Sequence, residues 1–150
     1  MKIKKLLPVL LIFLTIGCGF TPVYLSKNDY NFSIEQIAFT GDKELNNFLK
    51  TKLRKFKKEN ISKKFTINVV TIYEKNILTK DMTGKTTNYE LVAKVEFTIN
   101  PGNKKFNFIN RKIMESEADK FEEKKYEKVI KQNFSTYFSE QLITELINFQ

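Results

Sequence analysis

Tyr89-Glu90-Leu91-Val92-Ala93-Lys94-Val95-Glu96-Phe97-Thr98-Ile99 is the stretch on which the fold turns. Tyr89, Leu91, Ala93, Val95, Phe97 and Ile99 point to one side, while Glu90, Lys94, Glu96 and Thr98 point to the other. A period of two is that of a strand with one face on a core and one in water. Downstream, Asn100-Pro101-Gly102-Asn103 ends it as a turn, and Phe106 and Phe108 carry a further strand to about Ile113. Upstream, Lys80-Asp81-Met82-Thr83-Gly84-Lys85-Thr86 is a polar, glycine-containing loop. Before it, Phe65, Ile67, Val69, Thr71 and Tyr73 alternate with Thr66, Asn68, Val70, Ile72 and Glu74. Short turns between such strands predict an antiparallel meander.

A sheet with one apolar face needs a covering layer, and two helical patterns supply it. Leu45, Phe48, Leu49, Leu53 and Phe56 recur at helical spacing after Asp42, a residue suited to an N-cap, with Lys50, Lys52, Lys55 and Lys57 on the other side. This helix is predicted to run to about Glu59. The second follows Ala118, where Tyr126, Val129, Ile130, Phe134, Tyr137, Phe138, Gln141, Leu142 and Leu146 are spaced by three or four. Ahead of both, Phe32-Ser33-Ile34 through Phe39 is β-rich, slips in alternation near Gln36 as a bulge would, and stops at Thr40-Gly41-Asp42. The expected fold is α+β, with two helices packed on one face of a four-stranded, mainly antiparallel sheet in the order β-α-β-β-β-α.

The start of the chain has a different character. Met1-Lys2-Ile3-Lys4-Lys5 is basic, and Leu6 to Ile16 is apolar apart from Pro8 and Thr15. That run is a signal peptide by its pattern, and too short for the roughly 20 residues a spanning helix needs. It ends in Thr15-Ile16-Gly17-Cys18, which is similar to the lipobox of bacterial lipoproteins, with Thr15 where Leu is usual. There the thiol is acylated and the chain is cut to leave the cysteine first. The competing readings are a short membrane anchor, or an ordinary cleaved signal followed by a buried free thiol. The expected division is a leader over 1–17, an acylated tether over 18–31 and one domain over 32–150. Cys18 is the only cysteine, so no internal disulfide exists, and its position gives it the role of lipid attachment site. Each buried CH₂ of an acyl chain contributes about 0.8 kcal/mol, so two or three chains fix a domain to a membrane.

The formal charge is +9, and taking away Lys2, Lys4 and Lys5 with the leader leaves +6. Only Arg54 and Arg111 are arginines, which argues against nucleic acid, where arginine is the preferred bidentate reader. Codon choice in an AT-rich genome is an alternative origin for a chain rich in Lys, Asn, Ile and Phe, in place of a binding surface. With no histidine, the usual general base near neutral pH is missing. No glycine-rich phosphate loop, nucleophile elbow or metal-spaced ligand set occurs, so neither an enzyme nor a cofactor is expected beyond the acyl chains. Glu115, Glu117, Asp119, Glu122 and Glu123 are read as solvated charges favouring a helix start.

Cys18-Gly19-Phe20-Thr21-Pro22-Val23-Tyr24 resembles the mature start, Cys-Gly-Phe-x-Pro-x-Tyr, of the lipopolysaccharide-assembly lipoprotein family LptE, also called RlpB, in its alphaproteobacterial form. The likeness continues in the order of elements over residues 18–150, with Leu53-Arg54 for a Leu-Arg pair in a helix and Tyr89-Glu90-Leu91 for a Tyr-x-Leu strand. The opening seven residues are its specific part. The resemblance implies an outer-membrane lipoprotein, palmitate-type chains on its cysteine, facing the periplasm and inserted in the lumen of an LptD-type β-barrel translocon. It would help that barrel assemble and assist lipopolysaccharide delivery to the outer leaflet. A basic domain suits a phosphorylated glycolipid, since lysine pairs with phosphate as a point charge. Lys80 and Lys85 in the polar loop, and Lys104 and Lys105 after the Asn-Pro-Gly turn, are the cations expected to make that contact. The alternative is a lipid-carrier or barrel-assembly accessory lipoprotein with the same anchor and another partner.

The lipobox reading makes a direct prediction. Cys18→Ala removes the acylation nucleophile, so an uncut precursor should stay in the inner membrane, seen as a slower band that takes up no labelled fatty acid. Normal cutting before residue 18 with fatty-acid label retained would contradict it.

Overall fold

The computed structural model describes residues 30–148, and the leader, Cys18 and the tether up to residue 29 lie outside that range. Four strands, β1 (Ser33–Gly41), β2 (Lys64–Lys80), β3 (Thr86–Asn100) and β4 (Lys104–Glu115), form one sheet in the order β1-β2-β3-β4. Helix α1 (Lys43–Leu53) connects β1 to β2, and α2 (Lys120–Asn148) follows β4. β1 runs parallel to β2, as a strand joined by a crossover helix can, and the other two pairings are antiparallel. The expected fold class and element order are therefore those observed.

Both helices cover the face that the alternation of β3 marks as apolar. Val69 lies opposite Phe97 and Phe97 opposite Phe106, so each central core residue has neighbours on both sides. Leu45, Leu49 and Leu53 of α1 and Ile130, Phe134, Phe138 and Leu142 of α2 close over this layer. Full burial of each such side chain contributes about 1.5–3 kcal/mol. The predicted bulge in β1 falls between Ile34 and Gln36, and it restores Ile37 and Phe39 to the side of Ile67 and Val69.

The corner from β1 into α1 is fixed by a close approach. Gly41 has φ +99°, and a Cβ there would meet the Thr71 carbonyl oxygen at 1.8 Å, so only glycine fits. Asp42 then caps α1, its carboxylate accepting from the Leu45 N–H at 2.8 Å, as the sequence predicts. The helix ends sooner than expected. Arg54–Phe56 is one 3₁₀ turn, and the Ser33 hydroxyl accepts from the Lys58 N–H at 2.8 Å while donating to the Lys58 carbonyl at 2.7 Å. These bonds hold the chain in a non-helical path and let Phe56 pack beside Phe32 and Tyr30.

Two expectations for α2 need correction. Tyr126, Val129 and Tyr137 are exposed, and the buried stripe runs instead through Ile130, Phe134, Phe138, Leu142, Ile143 and Leu146. Glu123, expected in solvent, is only 5% exposed, and Lys131 only 7%. The reason lies on β2, whose outer half carries Tyr73 and Lys75 on the helix-covered side. The Lys75 ammonium bonds Glu123 and Glu127 at 2.9 Å each, and Glu123 also accepts from Lys120 at 2.8 Å and from the Ser116 hydroxyl at 3.2 Å. Tyr73 donates to Glu127 at 2.8 Å, while Lys131 pairs with Glu44 at 3.1 Å and stands 4.0 Å from the centre of the Tyr73 ring. Apolar residues at the start of α2 would face this polar wall, so its inner side is charged.

The network sets protonation. Burial alone raises the Glu123 carboxyl, but hydrogen bonds from Lys120, Lys75 and Ser116 and the charge of Lys75 outweigh it and hold the group at about 2. Burial lowers Lys75, and its two carboxylate partners more than reverse this. Burial first, and then Glu127, raise the Tyr73 phenol.

A depressed carboxyl stabilises the fold above its unfolded value near 4.5, and that contribution disappears as pH falls through about 2. Glu123→Gln should therefore cost about 3 kcal/mol at pH 7, at roughly 1.4 kcal/mol per unit of the depression, by removing the ionised acceptor that Lys75, Lys120 and Ser116 share, with the gap from wild type shrinking as pH falls toward the folded value. Urea unfolding of both proteins across that range checks this. A gap independent of pH would show that Glu123 is not held ionised by the network.

Candidate functional site

The four lysines singled out from sequence fall into two pairs at opposite ends of the sheet. Lys80 and Lys85 flank the β2–β3 turn, whereas Lys104 and Lys105 follow the β3–β4 turn. β3 separates the two turns, and its 15 residues at about 3.3 Å each put the pairs roughly 45 Å apart. No single ligand headgroup touches both pairs. They form two candidate sites.

The β2–β3 end is a built projection. Asp81 closes the turn, its carboxylate accepting from the Thr83 N–H at 2.8 Å, the Thr83 hydroxyl at 2.6 Å and the Lys85 N–H at 3.0 Å. These bonds, the Thr83 hydroxyl first, hold the Asp81 carboxyl below the usual carboxylate range. Gly84 takes φ +83° to complete it. Behind the turn, the Thr79 and Thr87 hydroxyls meet at 2.6 Å and the Asn88 amide donates to Thr79 at 2.9 Å. The hairpin is thus fixed locally, and the Lys75–Glu123–Glu127 network ties its base to α2.

This end presents cations beside apolar side chains. Met82 at the apex is fully exposed, and Ile77 and Leu78 just below it are about half exposed. Among the described residues no salt bridge holds Lys80 or Lys85. Lysines flanking an apolar tip match an amphiphile that has both phosphate and hydrocarbon. The sequence pattern singles out the lysines and not Met82, Ile77 and Leu78, because β2 runs on to Lys80 and only that extension puts these residues on a projection.

The other pair is different in kind. Lys105 is engaged by Glu96 at 3.0 Å, and the Lys104 ammonium stands 5.0 Å from the centre of the Phe106 ring. Cys18 lies outside the described residues. No described helix is long and apolar enough to cross a membrane. Between helices and sheet the space is filled by fully buried Phe32, Phe65, Phe97, Phe138, Leu45 and Leu91. A surface depression of about 540 Å³ along α2 is lined by Phe121, Lys124, Lys128 and three more charged residues, unlike the dry interior of a lipid carrier.

No protein-family model and no curated relative matches this sequence. In three dimensions it is similar to the rare lipoprotein B of Shewanella oneidensis, with TM-score 0.56 and 19% identity over 76% of this chain and 98% of that one. It is also similar to a minor lipoprotein of Acinetobacter baumannii, with TM-score 0.51 and 14% identity over 74% of this chain and 94% of that one. At such identities the likeness is one of fold: this chain has the β-α-β-β-β-α architecture found in rare lipoprotein B.

Proposed function

We propose that this protein is a lipid-anchored outer-membrane lipoprotein of the LptE kind, a binder and not a catalyst, with Cys18 as its acylated first residue. It plugs and helps assemble an LptD-type β-barrel and assists passage of lipopolysaccharide to the outer leaflet. One conjunction carries the reading: the Cys18-Gly19-Phe20-Thr21-Pro22-Val23-Tyr24 opening stands directly before a domain with the fold of rare lipoprotein B. Neither part depends on the other. The motif lies in residues 18–24, and the likeness of fold rests on the domain's elements.

Physical features of the domain support the role. Its core is filled, so an apolar ligand meets it at the surface. The braced β2–β3 hairpin offers Lys80 and Lys85 to phosphate and Met82 to acyl chains, which makes this end the better lipopolysaccharide contact of the two. Lys104 and Lys105, at the far end, belong to another surface.

Purified from detergent-solubilised outer membranes, the tagged protein should bring a large β-barrel with it in equal amount, and its depletion should reduce surface lipopolysaccharide. Lys80→Glu with Lys85→Glu should weaken lipopolysaccharide binding at least about tenfold, and the loss should shrink in high salt, because exposed charges are screened beyond roughly 10 Å at 0.1 M. Isolation without a barrel at normal expression would refute the assignment, and would favour an accessory lipoprotein with another partner.

A further inference from the structure

The end of the domain from which the tether departs is a basic collar. Tyr30 is the first described residue, and the Ser33 N–H donates to the Lys63 carbonyl at 2.8 Å. The Ser33–Lys58 hydrogen bonds clasp the 57–64 segment beside the start of β1. The register places the β3–β4 turn at this same end, because Ser33 pairs with Lys64, Thr66 with Asn100, and Ile99 with Lys104. Sequence-distant lysines thereby converge: Lys55, Lys57, Lys58 and Lys63 from the α1–β2 connection, and Lys104 and Lys105 from the turn. The opposing charges are few. Glu35 is taken up by Lys64 at 3.5 Å and Glu96 by Lys105 at 3.0 Å, and Glu59 in the connection and Glu145 near the end of α2 stand against six lysines and Lys64.

The collar is built for a diffuse anionic surface. The ammonium of Lys55 stands 5.1 Å from the ring centre of Phe56, that of Lys58 5.9 Å from Tyr30 and that of Lys63 5.6 Å from Phe65, cation–π contacts that hold these charges together at this end of the domain. The large exposed apolar side chains of the described residues lie elsewhere, on the outer half of the β2–β3 hairpin, on the open sheet face and on α2, so this end offers no apolar anchor of the kind that dominates protein interfaces. Position decides the partner. Eleven residues lie between Cys18 and Tyr30 and the chain between them reaches at most about 40 Å, so with Cys18 acylated this is the end of the domain that the tether holds nearest the bilayer.

We infer that the collar of Lys55, Lys57, Lys58, Lys63 and Lys104 is a second membrane contact, resting on the phosphate headgroups of an anionic phospholipid leaflet. The inference rests on the lipoprotein reading. It describes the anchored protein before a partner takes it up, with the domain standing on its basic end and the Lys80–Lys85 hairpin directed away. A lysine near an anionic surface contributes about fivefold in partition, and several act together.

The test uses the mature chain carrying Cys18→Ser, so that no acyl chain contributes, sedimented with vesicles of phosphatidylcholine alone or mixed in equal parts with phosphatidylglycerol. Binding should require phosphatidylglycerol and fall with salt. Combined Lys55→Gln, Lys57→Gln, Lys58→Gln and Lys104→Gln should weaken it at least about fiftyfold, taking roughly a factor of five per lysine as the upper limit. Lys124→Gln with Lys128→Gln, exposed on the first half of α2 and far from the collar, should leave it within about twofold, since those charges lie beyond the screening length of about 10 Å. Equal binding to neutral vesicles, or retention in the collar variant with loss in Lys80→Gln with Lys85→Gln, would overturn the inference. Absence of fatty-acid label on Cys18 in cells would remove the anchor while leaving the vesicle result standing, so the two failures are distinguishable.

Discussion

Everything in this molecule depends on β3 having to bury one face while pairing along both edges. Its apolar side, from Leu91 to Ile99, is almost completely removed from water, and the two helices are there to do that. A central strand with antiparallel neighbours on each side must turn back at each of its ends. The two turns of the meander therefore point in opposite directions, at a separation set by the length of β3. Surface groups carried on these turns are divided between two ends, whatever their similarity in sequence.

The second constraint is electrostatic. β2 and β3 extend past the apolar part of the helical layer, and an isolated hairpin in water is marginal. Lys75 bridging Glu123 and Glu127, with Tyr73 on Glu127 and Lys131 on Glu44, extends the packing where hydrophobic contact has run out. Glu123 and Lys131 are almost wholly desolvated, so they are tolerated there only because each is paired. What it adds is position: the base of the hairpin is held to α2, and α2 to the start of α1.

How much of this is legible in the sequence depends on the range of the forces. The strand alternation, the Asp42 cap and the bulge near Gln36 are local, and all three are present where the pattern puts them. The early end of α1 is not legible, because Ser33, 25 residues away, holds Lys58. Nor is the inner face of α2. Glu123 reads as a solvated acid until Lys75, 48 residues earlier, is known to lie against it. The lysine candidates are visible as residue types, but their separation into two ends needs the register. The collar is hidden for the same reason, since residues 55–63 and 104–105 meet only through pairing.

The inferred membrane contact and the proposed ligand contact put the collar toward the membrane and the hairpin toward the ligand. The most direct test of that orientation is a depth measurement. The acylated protein, with its single native cysteine blocked by lipid, takes a spin label at Lys57→Cys or at Met82→Cys and is placed on phosphatidylglycerol-containing vesicles. The label at 57 should lie within about 10 Å of the headgroups and the label at 82 roughly 45 Å farther out, the length of β3. Equal depths for the two labels, or the label at 82 lying closer to the bilayer, would contradict it.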